Sequence, residues 1–434
     1  MNETHNPRLR SWAPDANEPD GDFPIQNLPF GVFSREKSGD RHIGVAIGSR
    51  ILDLSAVAQT GLLDELDSAT RAACCNSTLN ALMGLTAGQN AALRRRLSGI
   101  LREGTDDARR RLGESCLTPM TTATMHVPAA IGDYTDFYAS IYHATNVGRM
   151  FRPDNPLLPN YKYVPIAYHG RASSIVASGT AIRRPAGQTR PNDSAPPQFG
   201  PTRLLDYELE VGAFVGRGND MGAPVAIEDA HEHLFGLCLV NDWSARDMQK
   251  WEYQPLGPFL AKSFATTVSP WVVTLEALAP FRAPAFERPA GDPSPLPYLS
   301  CEQDRKAGGI DVTLDVFIES ESMRRDGVAP HQISSGSFLY MYWTISQMLT
   351  HHASNGCNLR PGDLMASGTV SGPEESSRGC LLEMTQRGAH PVALPDGTER
   401  KFLLDGDRLI IRGYCARDGV RRIGFGECSG TVVA

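Results

Sequence analysis

Three stretches of the chain set ionisable side chains among apolar neighbours. In Leu205-Asp206-Tyr207-Glu208-Leu209-Glu210-Val211, acids alternate with apolar or aromatic residues. A strand would send Asp206, Glu208 and Glu210 to one side and the others to the opposite side. A strand with one solvated face is the plain alternative. However, Val211-Gly212-Ala213-Phe214-Val215 continues apolar on both faces, which places the strand inside a domain. Buried like charges a few ångströms apart repel unless a cation neutralises them, and a hard divalent ion with oxygen ligands is the natural partner.

The second stretch is an apolar run, 235–240, that opens abruptly into Asn241 and Asp242, then Arg246, Asp247 and Gln249. Such a run is expected to end at the edge of a site; a helix cap at Asp242 is the alternative. The third holds Tyr134, Asp136, Tyr138, His143 and Arg152 within twenty positions, in a segment without regular periodicity. An imidazole suits a general base near neutral pH. Glu383, set between Leu381-Leu382 and Met384, is expected to be buried. His351 and His352 are expected to face the C-terminal dipole of a helix, and His231 and His233 to be structural.

These groups need a scaffold. A chain of 434 residues exceeds what one core usually serves, so two domains are expected. The 41 Gly and 31 Pro favour many short strands joined by turns. Runs at 205–215, 234–240, 271–276, 310–318, 408–413 and 421–426 read as strands, and 337–351 as one helix with Phe338, Met341, Tyr342, Ile345, Met348 and Leu349 on its apolar stripe. Residues 1–21, with Pro7, Pro14 and Pro19, read as a loose arm. Within 1–127, runs 43–47 and 51–54 form a hairpin, and Leu93, Leu97, Ile100 and Leu101 mark a helix. That module carries no constellation suggesting chemistry, so residues 128–434 are expected to hold the catalytic domain.

The bulk numbers exclude other classes. A net charge of −7 argues against nucleic acid as the main partner, and the arginine runs 94–96 and 109–111 read as solvated helix faces. Nine Cys without a C-x-x-C pair suggest reduced thiols in a cytosolic protein. No apolar stretch suggests a signal peptide or a membrane span. A cytoplasmic location is therefore expected.

The motifs Asp22-Phe23-Pro24-Ile25-Gln26-Asn27-Leu28-Pro29, 125–148, Tyr168-His169-Gly170-Arg171-Ala172-Ser173-Ser174, 241–249, Trp251-Glu252-Tyr253 and Asn358-Leu359-Arg360-Pro361-Gly362-Asp363 carry a specific likeness. With them the chain resembles the fumarylacetoacetate hydrolase family from about residue 22 to 432. The resemblance implies a mainly β fold with some α: a small SH3-like N-terminal module followed by a β-roll catalytic domain, in a homodimer. It implies hydrolysis of the carbon–carbon bond of 4-fumarylacetoacetate to fumarate and acetoacetate, the last step of tyrosine (and phenylalanine) catabolism. It further implies Mg²⁺ or Ca²⁺ on Asp136, Glu208, Glu210 and Asp242, and a second cation at Lys262 (through its backbone carbonyl) and Thr266. The base would be His143, oriented by Glu383. Arg246, Gln249 and Lys262 would stabilise charge on the substrate, and Tyr138, Arg152, Gln249, Tyr253 and Thr369 would contact it. Ala261 and Ala265 depart from the family pattern, where Gly is expected. Acylpyruvate hydrolysis, oxaloacetate decarboxylation, sugar-acid dehydration and non-catalytic binding are the competing readings.

Overall fold

The computed structural model describes residues 1–35, 39–192 and 194–434. Three sheets organise it. The first is an antiparallel five-stranded sheet in the spatial order Leu117–Pro119, Arg50–Asp53, Arg41–Ile47, Phe30–Arg35, Ala123–His126, the small SH3-like module. Its hairpin turns at Gly48, whose φ of +55° is left-handed backbone that glycine adopts without strain. The helix Ala87–Leu101 starts in a reciprocal capping box between Thr86 and Gln89, and it buries Leu93, Leu97, Ile100 and Leu101 against this sheet's core.

The second sheet has eight strands. Along its main path lie Ala167–Gly170, Tyr134–Phe137, Leu364–Ala366, Leu209–Val215, Leu234–Asp242, Thr266–Val268 and Ile175–Ala177, with Val273–Thr274 also paired to Leu234–Asp242. Every residue of Leu209–Val215 and Leu234–Asp242 is buried, so both faces are covered. Alternation decides what covers each. Phe214, Cys238 and Val240 join the core of the N-terminal module. Val211, Ala213, Leu237 and Leu239 instead meet Leu314, Val316, Ile411 and Phe425. Those last residues belong to the third sheet, ordered His331–Ser337, Thr313–Glu319, Arg408–Cys415, Ile423–Val433, Ala181–Arg183.

Several local expectations change. The run 337–351 is not one helix: a 3₁₀ turn, Phe338–Tyr340, and a helix, Ile345–Ala353, are separated by extended backbone at Met341. Thr344 accepts the amide of Gln347, and Gln347 returns the bond to the Thr344 amide, so a cap starts the helix anew. The apolar stripe is nevertheless buried throughout. Conversely, the segment with His143 is helical over Ile141–Phe151. The run 271–276 is reduced to Val273–Thr274, and 310–318 splits into Gly309–Ile310 and Thr313–Glu319. The arm packs instead of lying loose. Its Thr4, His5, Ser11, Ala13 and Ala16 are buried, and Ser11 donates to the Leu101 carbonyl at 2.8 Å.

Arg94 overturns the solvated-face reading of the first arginine run. It is buried, and donates to Thr4 Oγ1 at 3.0 Å and to the carbonyls of Asn27 and Gln26 at 2.7 and 2.5 Å. Burial lowers its pKa to about 10. It thus ties the arm to the Gln26-Asn27 segment. All nine cysteines are unpaired, and no helix among the described residues is long and apolar enough to cross a membrane.

Candidate active site

The strand Tyr134–Phe137 runs parallel to Leu364–Ala366, bringing Asp136 beside Ala366. Leu364–Ala366 pairs with Leu209–Val215, which pairs with Leu234–Asp242, so Glu210 and Asp242 fall on the same side of one sheet as Asp136. Gly368, at φ +75°, lets the chain after Ala366 pass close to Phe137; a Cβ there would lie 2.2 Å from the Phe137 carbonyl. Asp136, Glu210 and Asp242 are all buried, and each offers an oxygen within 4.8 Å of the others.

Their partners are unequal. Asp242 Oδ1 accepts from Thr266 at 3.0 Å, and its Oδ2 accepts from Tyr168 at 2.8 Å and Lys262 at 2.5 Å. Asp136 Oδ2 accepts from the Tyr168 hydroxyl at 2.9 Å and that of Tyr134 at 3.3 Å. Asp136 Oδ1 and both oxygens of Glu210 are buried with no donor. Buried acceptors without donors are rare, because each forfeits its hydration. Burial first, then the charge of Asp242, pushes Asp136 well above the ordinary carboxylate range. Burial and the charges of Asp136, Asp242 and Glu208 do the same to Glu210. Three converging carboxylates with unsatisfied oxygens fit a hard divalent cation, which takes oxygen ligands at roughly 2.0–2.6 Å.

The other end of the same acidic face is neutralised by the protein itself. Arg246 donates through Nε to Asp206 Oδ2 at 2.9 Å and through Nη1 to Glu208 Oε1 at 2.5 Å. Lys262 Nζ lies 2.9 Å from Glu208 Oε2 and 2.5 Å from Asp242 Oδ2. Ser244 and Thr369 also donate to Glu208, at 3.1 and 2.9 Å. Burial raises the Glu208 pKa, but Lys262 and Arg246 outweigh it and hold the carboxylate well below its ordinary range. Gln249 Oε1 accepts from Arg246 Nη1 at 3.1 Å, while Arg246 Nη2 is buried without a partner.

His143 sits in the first turn of Ile141–Phe151, where Ser140 caps the helix by accepting the His143 amide at 3.2 Å. Its Nδ1 lies 2.6 Å from Glu383 Oε2 across 240 residues of sequence. Glu383 also accepts from Ser371 at 2.8 Å, Cys380 at 3.2 Å and Asn146 at 2.9 Å. Burial opposes its charge, yet His143 and these donors hold its pKa down to about 2. It is a firm carboxylate. The ring of Tyr138 meets that of His143 edge-on, 5.4 Å between centroids.

Remaining expectations divide between this network and its outside. Arg152 is exposed and donates to the Pro156 carbonyl at 3.2 Å, and Tyr253 is exposed at the end of Arg246–Glu252. Lys262 reaches the acids with its side chain, and Thr266 spends its hydroxyl on Asp242. His352 pairs with Thr135 and His351 with Tyr298, while His231 and His233 bind the carbonyls of Glu228 and Arg217. Asp242 ends a strand; the helix begins at Arg246. Sequence reasoning missed the Tyr168 hydroxyl on Asp136 and the donors Asn146, Ser371 and Cys380 on Glu383. Asn146, three residues after His143 on one helix, carried a readable spacing; Ser371 had no such signal.

Known proteins extend this picture. Residues 134–433 match the family model described as fumarylacetoacetate (FAA) hydrolase C-terminal, and residues 26–128 match fumarylacetoacetase N-terminal. Fumarylacetoacetase of Bos taurus is 52% identical over 430 residues, covering 98% of each chain. That of Homo sapiens is 52% identical over 419 residues, covering 95% of this chain and 97% of its own. Among solved structures, a fumarylacetoacetate hydrolase from psychrophilic Exiguobacterium antarcticum superposes with TM-score 0.50 at 18% identity, over 94% of this chain and 99% of that one, a likeness of fold. With both family models matched in order and whole-length relatives at half identity, the chain belongs to the fumarylacetoacetate hydrolase family.

Proposed function

We propose that the chain is a hydrolase that cleaves the carbon–carbon bond of 4-fumarylacetoacetate, giving fumarate and acetoacetate in the last step of tyrosine breakdown. The observation that carries this reading is the buried His143–Glu383 pair in one structure with a cluster of carboxylates that lack donors. Nδ1 of His143 holds its proton against Glu383, which leaves Nε2 as the base for a water. Glu383 stays ionised and stabilises the imidazolium as it forms. Asp136, Glu210 and Asp242, with Glu208 as the fourth carboxylate, would hold Mg²⁺ or Ca²⁺. When bound, such an ion supplies Lewis-acid polarisation of the substrate's carbonyl oxygens.

Cleavage places negative charge on the departing carbon and its carbonyl oxygen. Among the described residues Arg246 Nη2 has no partner, and it is a donor ready for that charge. Lys262 and Gln249 stand beside it; one such donor is typically worth about 2.7–4 kcal/mol. Tyr138, Thr369, Tyr253 and Arg152 are proposed substrate contacts, with the Arg152 guanidinium suited to a carboxylate. Thr266 and the Lys262 carbonyl would serve a second cation. The division into residues 1–127 and 128–434, a homodimer and a cytoplasmic location belong to the same proposal.

Product analysis tests the reading. Incubation with fumarylacetoacetate should yield fumarate and acetoacetate in equal amounts, faster than acylpyruvates or oxaloacetate are consumed. Preference for either competitor would replace the substrate.

A further inference from the structure

Asp206, on the short strand Leu205–Asp206 paired with Ser244–Ala245, belongs neither to the cation cluster nor to the dyad; it touches the supports of both. It is fully buried. Its Oδ2 accepts from Arg246 Nε at 2.9 Å and from the Leu382 amide at 3.0 Å. Its Oδ1 accepts from the amides of Leu381 at 2.8 Å and of its neighbour Tyr207 at 2.9 Å. Those four donors engage both carboxylate oxygens, two to each. Leu381 and Leu382 open the short turn Leu381–Met384, whose own cap residue, Cys380, accepts no bond from it through its side chain. Asp206 supplies that acceptor from 175 residues upstream, and the next residue on the turn is Glu383. On its other side Asp206 fixes Arg246, whose Nη1 continues to Glu208 and Gln249.

We propose that Asp206 is a positioning residue that holds the His143–Glu383 pair in register with Arg246, so that base and charge-stabilising guanidinium keep one separation. This rests on the functional reading given above. The carboxylate is needed because every neighbour of its oxygens is a donor. An amide of the same shape would turn two hydrogens toward N–H groups, leaving buried donors opposed to one another. The turn bearing Glu383, or Arg246, must then shift, and displacements near 1 Å can cost about 100-fold in rate.

Asp206→Asn and Asp206→Glu are compared with the wild type in three measurements: kcat and KM on fumarylacetoacetate, Mg²⁺ affinity by calorimetry, and the His143 Nδ1–H resonance by NMR of histidine-labelled protein. For Asp206→Asn, kcat should fall about 10- to 100-fold while KM holds within about 3-fold. Mg²⁺ affinity should fall less than it does for Glu210→Gln. The Nδ1–H resonance of His143 should move, because Glu383 is no longer held against Nδ1. Folded Asp206→Asn with unchanged kcat and an unchanged His143 Nδ1–H resonance would overturn the proposal. A loss of Mg²⁺ affinity as large as that of Glu210→Gln would overturn it too, by placing Asp206 among the metal ligands. If Asp206→Asn does not fold, Asp206→Glu, which keeps the charge but displaces it, is read by the same three measurements, and the same outcomes support or overturn the role. A wild type that leaves fumarylacetoacetate intact would defeat the functional reading alone, since the His143 Nδ1–H resonance still decides Asp206.

Discussion

Asp206, Glu208 and Glu210 look alike in the sequence, spaced by two on one strand face, and the structure gives them three surroundings. Asp206 is saturated by backbone amides and Arg246; Glu208 is held between Arg246 and Lys262; Glu210 has no donor. Alternation predicted one strand through all three, but the structure breaks it at residues 207–208 and pairs Leu205–Asp206 with Ser244–Ala245 instead. Alternation could not show which acids meet a lysine far along the chain and which are left bare. Substituting the bare one should therefore touch metal binding most. Glu210→Gln should weaken Mg²⁺ affinity by at least about 10- to 100-fold in calorimetry, and unchanged affinity would remove the cluster from metal binding. His143→Ala should reduce kcat by a factor of about 100 or more with metal affinity intact, since general-base catalysis typically contributes about 10²–10⁴. Turnover at the wild-type rate would take the base role from His143.

At the level of elements, the sequence was most legible where period and burial coincide. The hairpin of the N-terminal module and the strands Leu209–Val215 and Leu234–Asp242 follow from apolar runs and turns. Helices misled where capping outweighs the stripe: Thr344 restarts a helix inside a continuous apolar pattern, and Ser140 starts one where no pattern is visible. A short helix with one polar and functional face gives periodicity little to show. Ser140 does double duty, accepting the His143 amide and donating to the Ser371 carbonyl at 3.0 Å. Ser140→Ala should lower stability by about 1 kcal/mol in denaturant unfolding, the usual worth of such a cap. It should also reduce kcat, because the first turn carries the base. Unchanged stability and rate would show that packing alone fixes that turn.

The whole molecule builds its cation cluster on a sheet covered by separate apolar clusters on its two faces. The N-terminal module shares apolar contacts with the face of the eight-stranded sheet that also carries Asp136, Glu210 and Asp242. No spacing within residues 1–127 announces that, because partners such as Phe214, Cys238 and Val240 lie far along the chain. Burial of the acids has a measurable consequence in protein stripped of cation. Asp136 and Glu210 hold protons more tightly folded than unfolded. Their contribution to stability is therefore full below the ordinary carboxylate range near pH 4 and is lost as pH rises toward their raised values. Treatment with EDTA should accordingly lower the melting temperature more at pH 8 than at pH 5. Mg²⁺ at about 100 times its Kd should return about 2.7 kcal/mol; an equal loss at both pH values would contradict the account. The most direct measurement is the rate of fumarylacetoacetate hydrolysis after EDTA treatment and during back-titration with Mg²⁺ or Ca²⁺. Loss of turnover on stripping and its saturable return with added cation is the predicted result. Full activity in protein shown to be metal-free would contradict it.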